Sequence, residues 1–94
     1  MAVYLVERYL PNAHLGDLSA AVERTARLTV GHPAGTGPRY LSSTFLAEEE
    51  TCLCRFEASD REAVAELNRQ ADFPFDRIVD AVDLLPTDGS AEGA

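Results

Sequence analysis

The stretch A-E-E-E-T-C-L-C-R-F-E-A-S-D, Ala47 to Asp60, decides the fold. Its middle, Thr51 to Glu57, alternates as a strand does. Cys52, Cys54 and Phe56 point to one side of that strand, and Leu53 and Arg55 point to the other. Before it, Ala47 to Glu50 is short enough to be a hairpin loop, so Arg39 to Leu46 is expected to be the antiparallel neighbour. After it, Ser59-x-x-Glu62 has the spacing of a capping box, which predicts a helix carrying Ala63, Val64, Leu67 and Ala71 on its inner face.

The pattern continues outward in both directions. Ala2 to Tyr9 is dense in β-branched and aromatic residues and runs into Pro11-Asn12, as a strand before a turn does. From Asp17 to Val30 the period becomes helical, with Leu18, Ala21, Val22, Thr25 and Leu28 on one side. Gly16 or Asp17 is expected to cap the start, and Gly31 to stop the helix. G-H-P-A-G-T-G-P, residues 31–38, is loop by composition. Beyond the second helix, Phe73-Pro74-Phe75 is expected to form a turn, Arg77 to Leu84 a fourth strand, and residues 86–94 a flexible tail. The order β-α-β-β-α-β predicts an α+β fold. It is the ferredoxin-like βαββαβ two-layer sandwich, with antiparallel sheet order 4-1-3-2 and both helices on one face, in a single domain over residues 1–85.

Composition narrows the function. The chain has 94 residues and a net charge of −8, from 16 acids against 8 bases. It has no Lys/Arg-rich stretch, so neither nucleic acid nor an anionic membrane is an expected partner, whereas cations are electrostatically favoured. No apolar run approaches the ~20 residues of a membrane span, and the start lacks the pattern of a signal peptide. A cytoplasmic location with reduced cysteines is expected.

Topology places candidate chemistry. The loop Pro11 to Gly16, the hairpin Ala47 to Glu50 and the turn Asp72 to Asp76 share one end of the sheet. His14 therefore shares an edge with Glu48, Glu49, Glu50, Asp72 and Asp76, and the candidate metal donors are His14, Glu48, Glu49, Asp72 and Asp76. His32 lies at the opposite end, ~25 Å away at ~3.3 Å per strand residue. Cys52 and Cys54 are expected in the core as small hydrophobes, with a thiolate ligand role as the alternative. The face away from the helices is half apolar, which predicts a homodimer through that open sheet face. Glu7, Arg55, Tyr40, Ser42 and Asp80 are its polar candidates, either as cross-strand pairs or as the lining of a cleft.

Y-L-V-E-R (Tyr4 to Arg8), the segment C-x-F-E-A-x-D (Cys54 to Asp60) and F-P-F-D-R-I-V-D (Phe73 to Asp80) resemble a family of small bacterial ferredoxin-like proteins. That family was long catalogued as a domain of unknown function and includes a nickel-binding member. The resemblance spans about residues 2 to 85. It implies a dimeric α/β sandwich that binds Ni²⁺, with no established catalytic reaction. Imidazole and carboxylate oxygen are donors nickel accepts. Three functions follow: a cytoplasmic dimeric binding protein for nickel or another divalent transition metal, a small isomerase or cofactor-free oxygenase of the dimeric α+β barrel type, and a structural assembly module.

Overall fold

The computed structural model describes residues 1–30, 37–84 and 86. His32, most of the 31–38 loop and most of the expected tail lie outside the described residues. Six elements follow one another: β1 (Ala2–Tyr9), α1 (Leu15–Arg27), β2 (Arg39–Leu46), β3 (Thr51–Ala58), α2 (Arg61–Gln70) and β4 (Arg77–Ala81). The strands form one open antiparallel sheet in the order β2-β3-β1-β4, which is 4-1-3-2 when counted from the β4 edge.

Side-chain alternation divides the sheet. On β1 and β3 the even positions are buried: Tyr4, Val6 and Arg8 on the first, Cys52, Cys54, Phe56 and Ala58 on the second. These meet Leu18 and Ala21 of α1, Val64, Ala65 and Leu67 of α2, and Ala71, Phe73 and Ile78 in one core cluster. Both helices therefore bury their apolar stripes against the same sheet face. The odd positions Val3, Leu5, Leu53 and Val79 lie on the other face and are only partly covered.

Four expectations change at the level of single residues. The first helix starts at Leu15 with His14 as its N-cap, and His14 makes no side-chain cap bond. The cap of α2 is Asp60, whose carboxylate accepts from the Ala63 amide at 2.8 Å. Glu62, expected to complete a capping box with Ser59, pairs instead with Arg69 at 2.9 Å. The fourth strand ends at Ala81, because β4 stands at the sheet edge, pairs with β1 alone among the described residues, and that ladder runs out at Val3↔Ala81. Finally, a register shift between Tyr40 and Ser42 reverses the parity of β2. One extra residue in an antiparallel pair moves the preceding side chains to the opposite face. Tyr40 thus lies opposite Phe56 on the helix-covered side, and Ser42 opposite Arg55 on the open side.

The C-terminus of α2 closes as a Schellman motif: Phe73 N–H donates to the Asn68 carbonyl at 3.1 Å and Asp72 N–H to the Arg69 carbonyl at 3.0 Å. Arg24 of α1 adds a donor to the Ala71 carbonyl at 2.6 Å, tying the helices together. The residue in the left-handed position is Asp72, at φ 56°, where glycine is the usual occupant.

Two substitutions test these helix ends by denaturant unfolding. Asp60→Ala should cost about 1 kcal/mol while Ser59→Ala stays within about 0.5 kcal/mol of the parent. Asp72→Gly should gain about 1 kcal/mol, by relieving the left-handed strain and removing an acid from the negative end of a helix.

Candidate functional site

Arg8 is in phase with Tyr4 and Val6, so alternation forces its side chain into the core, where it is 0% exposed. A guanidinium there needs acceptors. One terminal nitrogen donates to the Phe73 and Pro74 carbonyls at 3.1 and 3.2 Å, and the other to Asn68 Oδ1 at 2.9 Å. Asn68 is itself buried and fixed by donating to the Val64 carbonyl at 2.8 Å. The Phe73 ring lies 3.5 Å from the guanidinium carbon, in cation–π geometry. Arg8 Nε has no hydrogen-bond partner, and among the described residues no carboxylate pairs with this cation.

Across the β1–β3 ladder Arg8 faces Cys52, and Val6 faces Cys54. Both cysteines are free and buried, with their sulfurs 3.8 Å apart. Ser43 Oγ donates to Cys54 Sγ at 2.8 Å and accepts from the Tyr40 hydroxyl at 2.8 Å. Tyr40 packs edge-on to Phe56 with ring centroids 5.7 Å apart, and its burial raises its own pKa. A chain of polar atoms therefore runs Tyr40–Ser43–Cys54–Cys52, with the Arg8 charge beside the two sulfurs. The hydrogen bond from Cys52 lowers Cys54 to about 6, with the Arg8 charge and the Ser43 hydroxyl helping against the opposing effect of burial. Cys52, as the donor to that thiolate and by burial, is pushed up. Cys54 is thereby the more acidic sulfur of the pair and Cys52 the less acidic. A cleft of about 420 Å³ opens onto Cys52 and Ser43 between α1 and the β2–β3 edge, and its wall includes Leu18, Val22, Phe45 and Glu23.

The other sequence-derived candidates are dispersed. Glu7 and Ser42 lie on the open face, as does Arg55, yet Glu7 and Arg55 do not bond each other. Glu7 takes Arg77 at 2.8 and 3.3 Å, and Arg55 takes Asp83. Tyr40 lies on the opposite face, for the register reason given above. So does Asp80, which stands across from the buried Tyr4 and pairs with Arg61 of α2 at 3.0 Å. These five do not line one cleft.

At the rim, three loops meet as topology requires. The Glu50 carbonyl accepts from Leu10 N at 2.7 Å and its carboxylate from Asn12 N at 2.9 Å. Asp76 accepts from Tyr9 N at 2.6 Å. His14, Glu48, Glu49 and Asp72 are exposed at this end. Among the described residues, no three His, Cys, Asp or Glu side chains are grouped to hold a metal ion. Nor is any described helix long and apolar enough to cross a membrane.

Sequence reasoning did not single out Arg8, Asn68 or Ser43. The signal for Arg8 was present: a charge in strict alternation with Tyr4 and Val6 has to be buried with them. Asn68 and Ser43 depend on the α2 packing and the β2 register, which no local pattern encodes.

The comparisons with known proteins add one finding. The family model described as "Nickel responsive protein SCO4226-like" matches residues 4–80. No curated protein and no solved structure matches the chain.

The thiol pair makes a pH prediction. Between pH ~6 and the ordinary thiol range of about 8.5, the folded pair has released a proton that the unfolded chain still holds, so stability rises with pH. Above that range the unfolded chain loses both protons while folded Cys52 keeps one, and the trend reverses. Unfolding measured across this window should show wild type gaining on Cys54→Ser with a slope approaching ~1.4 kcal/mol per pH unit. Equal slopes would rule out the shared proton. Arg8→Met should cost about 3 kcal/mol, since it strands the Asn68 amide oxygen and two carbonyls.

Proposed function

This chain belongs to the SCO4226-like family of nickel-responsive proteins, and from that premise we propose that it is a small nickel-binding protein of the cytoplasm rather than an enzyme. We take its six elements as the ferredoxin-like βαββαβ arrangement and its working form as a homodimer joined through the open sheet faces.

The observation that carries the nickel assignment is where the backbone is strained. The non-glycine residues at positive φ among the described residues are Asn12 at 63°, Glu50 at 52° and Asp72 at 56°. All three sit at the His14 end, and two of them are acids. Such positions each cost on the order of 1 kcal/mol and persist where the surroundings require them. Asp72 also places its negative charge at the negative end of α2, where glycine is less costly. A cation at this rim compensates both terms and relieves the repulsion among the acids of the hairpin.

The donor types suit the ion, since Ni²⁺ accepts imidazole, carboxylate and water. Their spacing leaves the protomer without a three-donor shell, so nickel at the rim keeps water ligands or takes further donors from a second copy. His14 supplies the imidazole. Glu48, Glu49 and Asp72 supply exposed carboxylates, and Asp76 and Glu50 hold the loops in place.

The dimer reading rests on the half-covered apolar residues Val3, Leu5, Leu53 and Val79, which form a stripe on the sheet face without helices. Ion pairs between Glu7 and Arg77 and between Arg55 and Asp83 flank it.

Calorimetric titration of Ni²⁺ tests the site. His14→Ala should weaken binding at least tenfold, and Asp72→Gly should weaken it while stabilising the metal-free chain. Unchanged affinity in His14→Ala sinks the assignment. Light scattering tests the assembly: the wild type should elute as a dimer, and Leu53→Glu as a monomer.

A further inference from the structure

The cleft between α1 and the β2–β3 edge has no part in the nickel reading. We propose that it is a binding site for a small organic cation, a protonated amine carried on an apolar body. Three features of the cleft point to that occupant.

The first is its size and its walls. At about 420 Å³ it falls in the range that holds a small molecule. Val22 of α1 and Phe45 of β2 give it apolar sides. Leu15 stands beside them with 67% of its surface exposed, so the apolar body of a ligand gains by covering it.

The second is charge. Glu23 is the only charged residue of the lining, and it enters no ion pair among the described residues. With the chain at a net charge of −8, an organic anion is repelled here, whereas an ammonium gains a carboxylate partner. A bare metal ion is served less well. One carboxylate is too few oxygen donors for it, and no three metal-binding side chains group here among the described residues.

The third is the direction of the hydrogen bonds. A hydroxyl has one proton to give and two lone pairs to offer. Tyr40 gives its proton to Ser43 Oγ, and Ser43 gives its own to Cys54 Sγ, each at 2.8 Å. Both protons are thus committed within the protein. What these two hydroxyls still offer the cleft is lone pairs. They accept from an O–H or N–H of a ligand and have nothing to donate to a carbonyl or carboxylate. Ser19, exposed on α1, is free to turn its hydroxyl toward either kind. The charge of Glu23 and the acceptors of Tyr40 and Ser43 therefore select in the same sense, for a ligand that brings protons.

Amide chemical shifts of the full chain, followed by NMR without added metal, test this with tyramine as the probe. Tyramine joins an ammonium to an aromatic body that bears one O–H. para-Hydroxyphenylpropionate keeps the body and the O–H and reverses the charge. Methylammonium keeps the head and lacks the body. Tyramine should shift Ser19, Val22, Ser43 and Phe45 saturably, and should bind about tenfold or more tightly than either comparator. Glu23 is exposed, so Glu23→Gln keeps the fold; it should weaken tyramine about fivefold and leave the propionate no weaker. Tyr40→Phe, which removes one acceptor, should weaken tyramine by roughly the same factor. Shifts confined to the acidic loops at the His14 end, no saturation up to ~10 mM, equal binding of the propionate, or undiminished binding in Glu23→Gln overturns the proposal.

Discussion

A guanidinium sealed inside a two-layer sandwich, with no acid paired to it among the described residues, sets the terms for much of this molecule. Arg8 stands on the central strand and cannot turn outward, because its parity is shared with Tyr4 and Val6. Burying a charge of this kind costs several kcal/mol unless every polar atom around it cooperates. The consequences spread through the sequence. Asn68 is kept inside a helix whose other inward residues are apolar. The chain after α2 turns sharply, at Asp72, so that the Phe73 and Pro74 carbonyls come back toward β1. Phe73 lays its ring over the cation. The free sulfurs of Cys52 and Cys54 lie across the ladder on the same face.

These are an otherwise odd pair of residues. Two cysteines on one strand, with Phe56 in phase, would serve as small hydrophobes, and by volume that is how they pack. Valine or alanine could fill such positions equally well, but neither could accept the hydrogen bond that Ser43 gives Cys54. Packing and electrostatics are satisfied by the same atoms, and so the pair is both core and chemistry. The polar run from Tyr40 through Ser43 reaches from the β2 edge to Cys54, and Tyr40, Ser43 and Cys52 also line the cleft next to α1.

The elements themselves were legible because each has its own local cause. Alternation marks β1 and β3, the shift to a period of 3.6 marks α1, and the turn residues separate them. What was hidden in the sequence was anything that depends on registration between elements. Tyr40 and Ser42 read as one face of a regular strand, yet the irregularity at Leu41 sends Tyr40 inward toward Phe56. Asp60 and Ser59 are equally good N-cap types, and the sequence does not say which of two adjacent residues will take the role. The five rim donors were brought to one end by topology alone. Topology resolves position to the length of a loop, whereas a coordination shell demands about 2 Å. The described residues leave that gap open.

The two ends of the argument meet in how the molecule treats positive charge. The chain is acidic, with a net charge of −8, and two acids at the His14 end, Glu50 and Asp72, sit at positive φ. Negative charge of this kind favours cations over anions as neighbours. The interior holds one fixed cation, Arg8, and surrounds it with neutral acceptors and an aromatic ring: the Asn68 amide, the Phe73 and Pro74 carbonyls and the Phe73 face. Six short elements keep the two apart by placing the fixed cation on a strand face and the acids of the rim on the loops that join the strands.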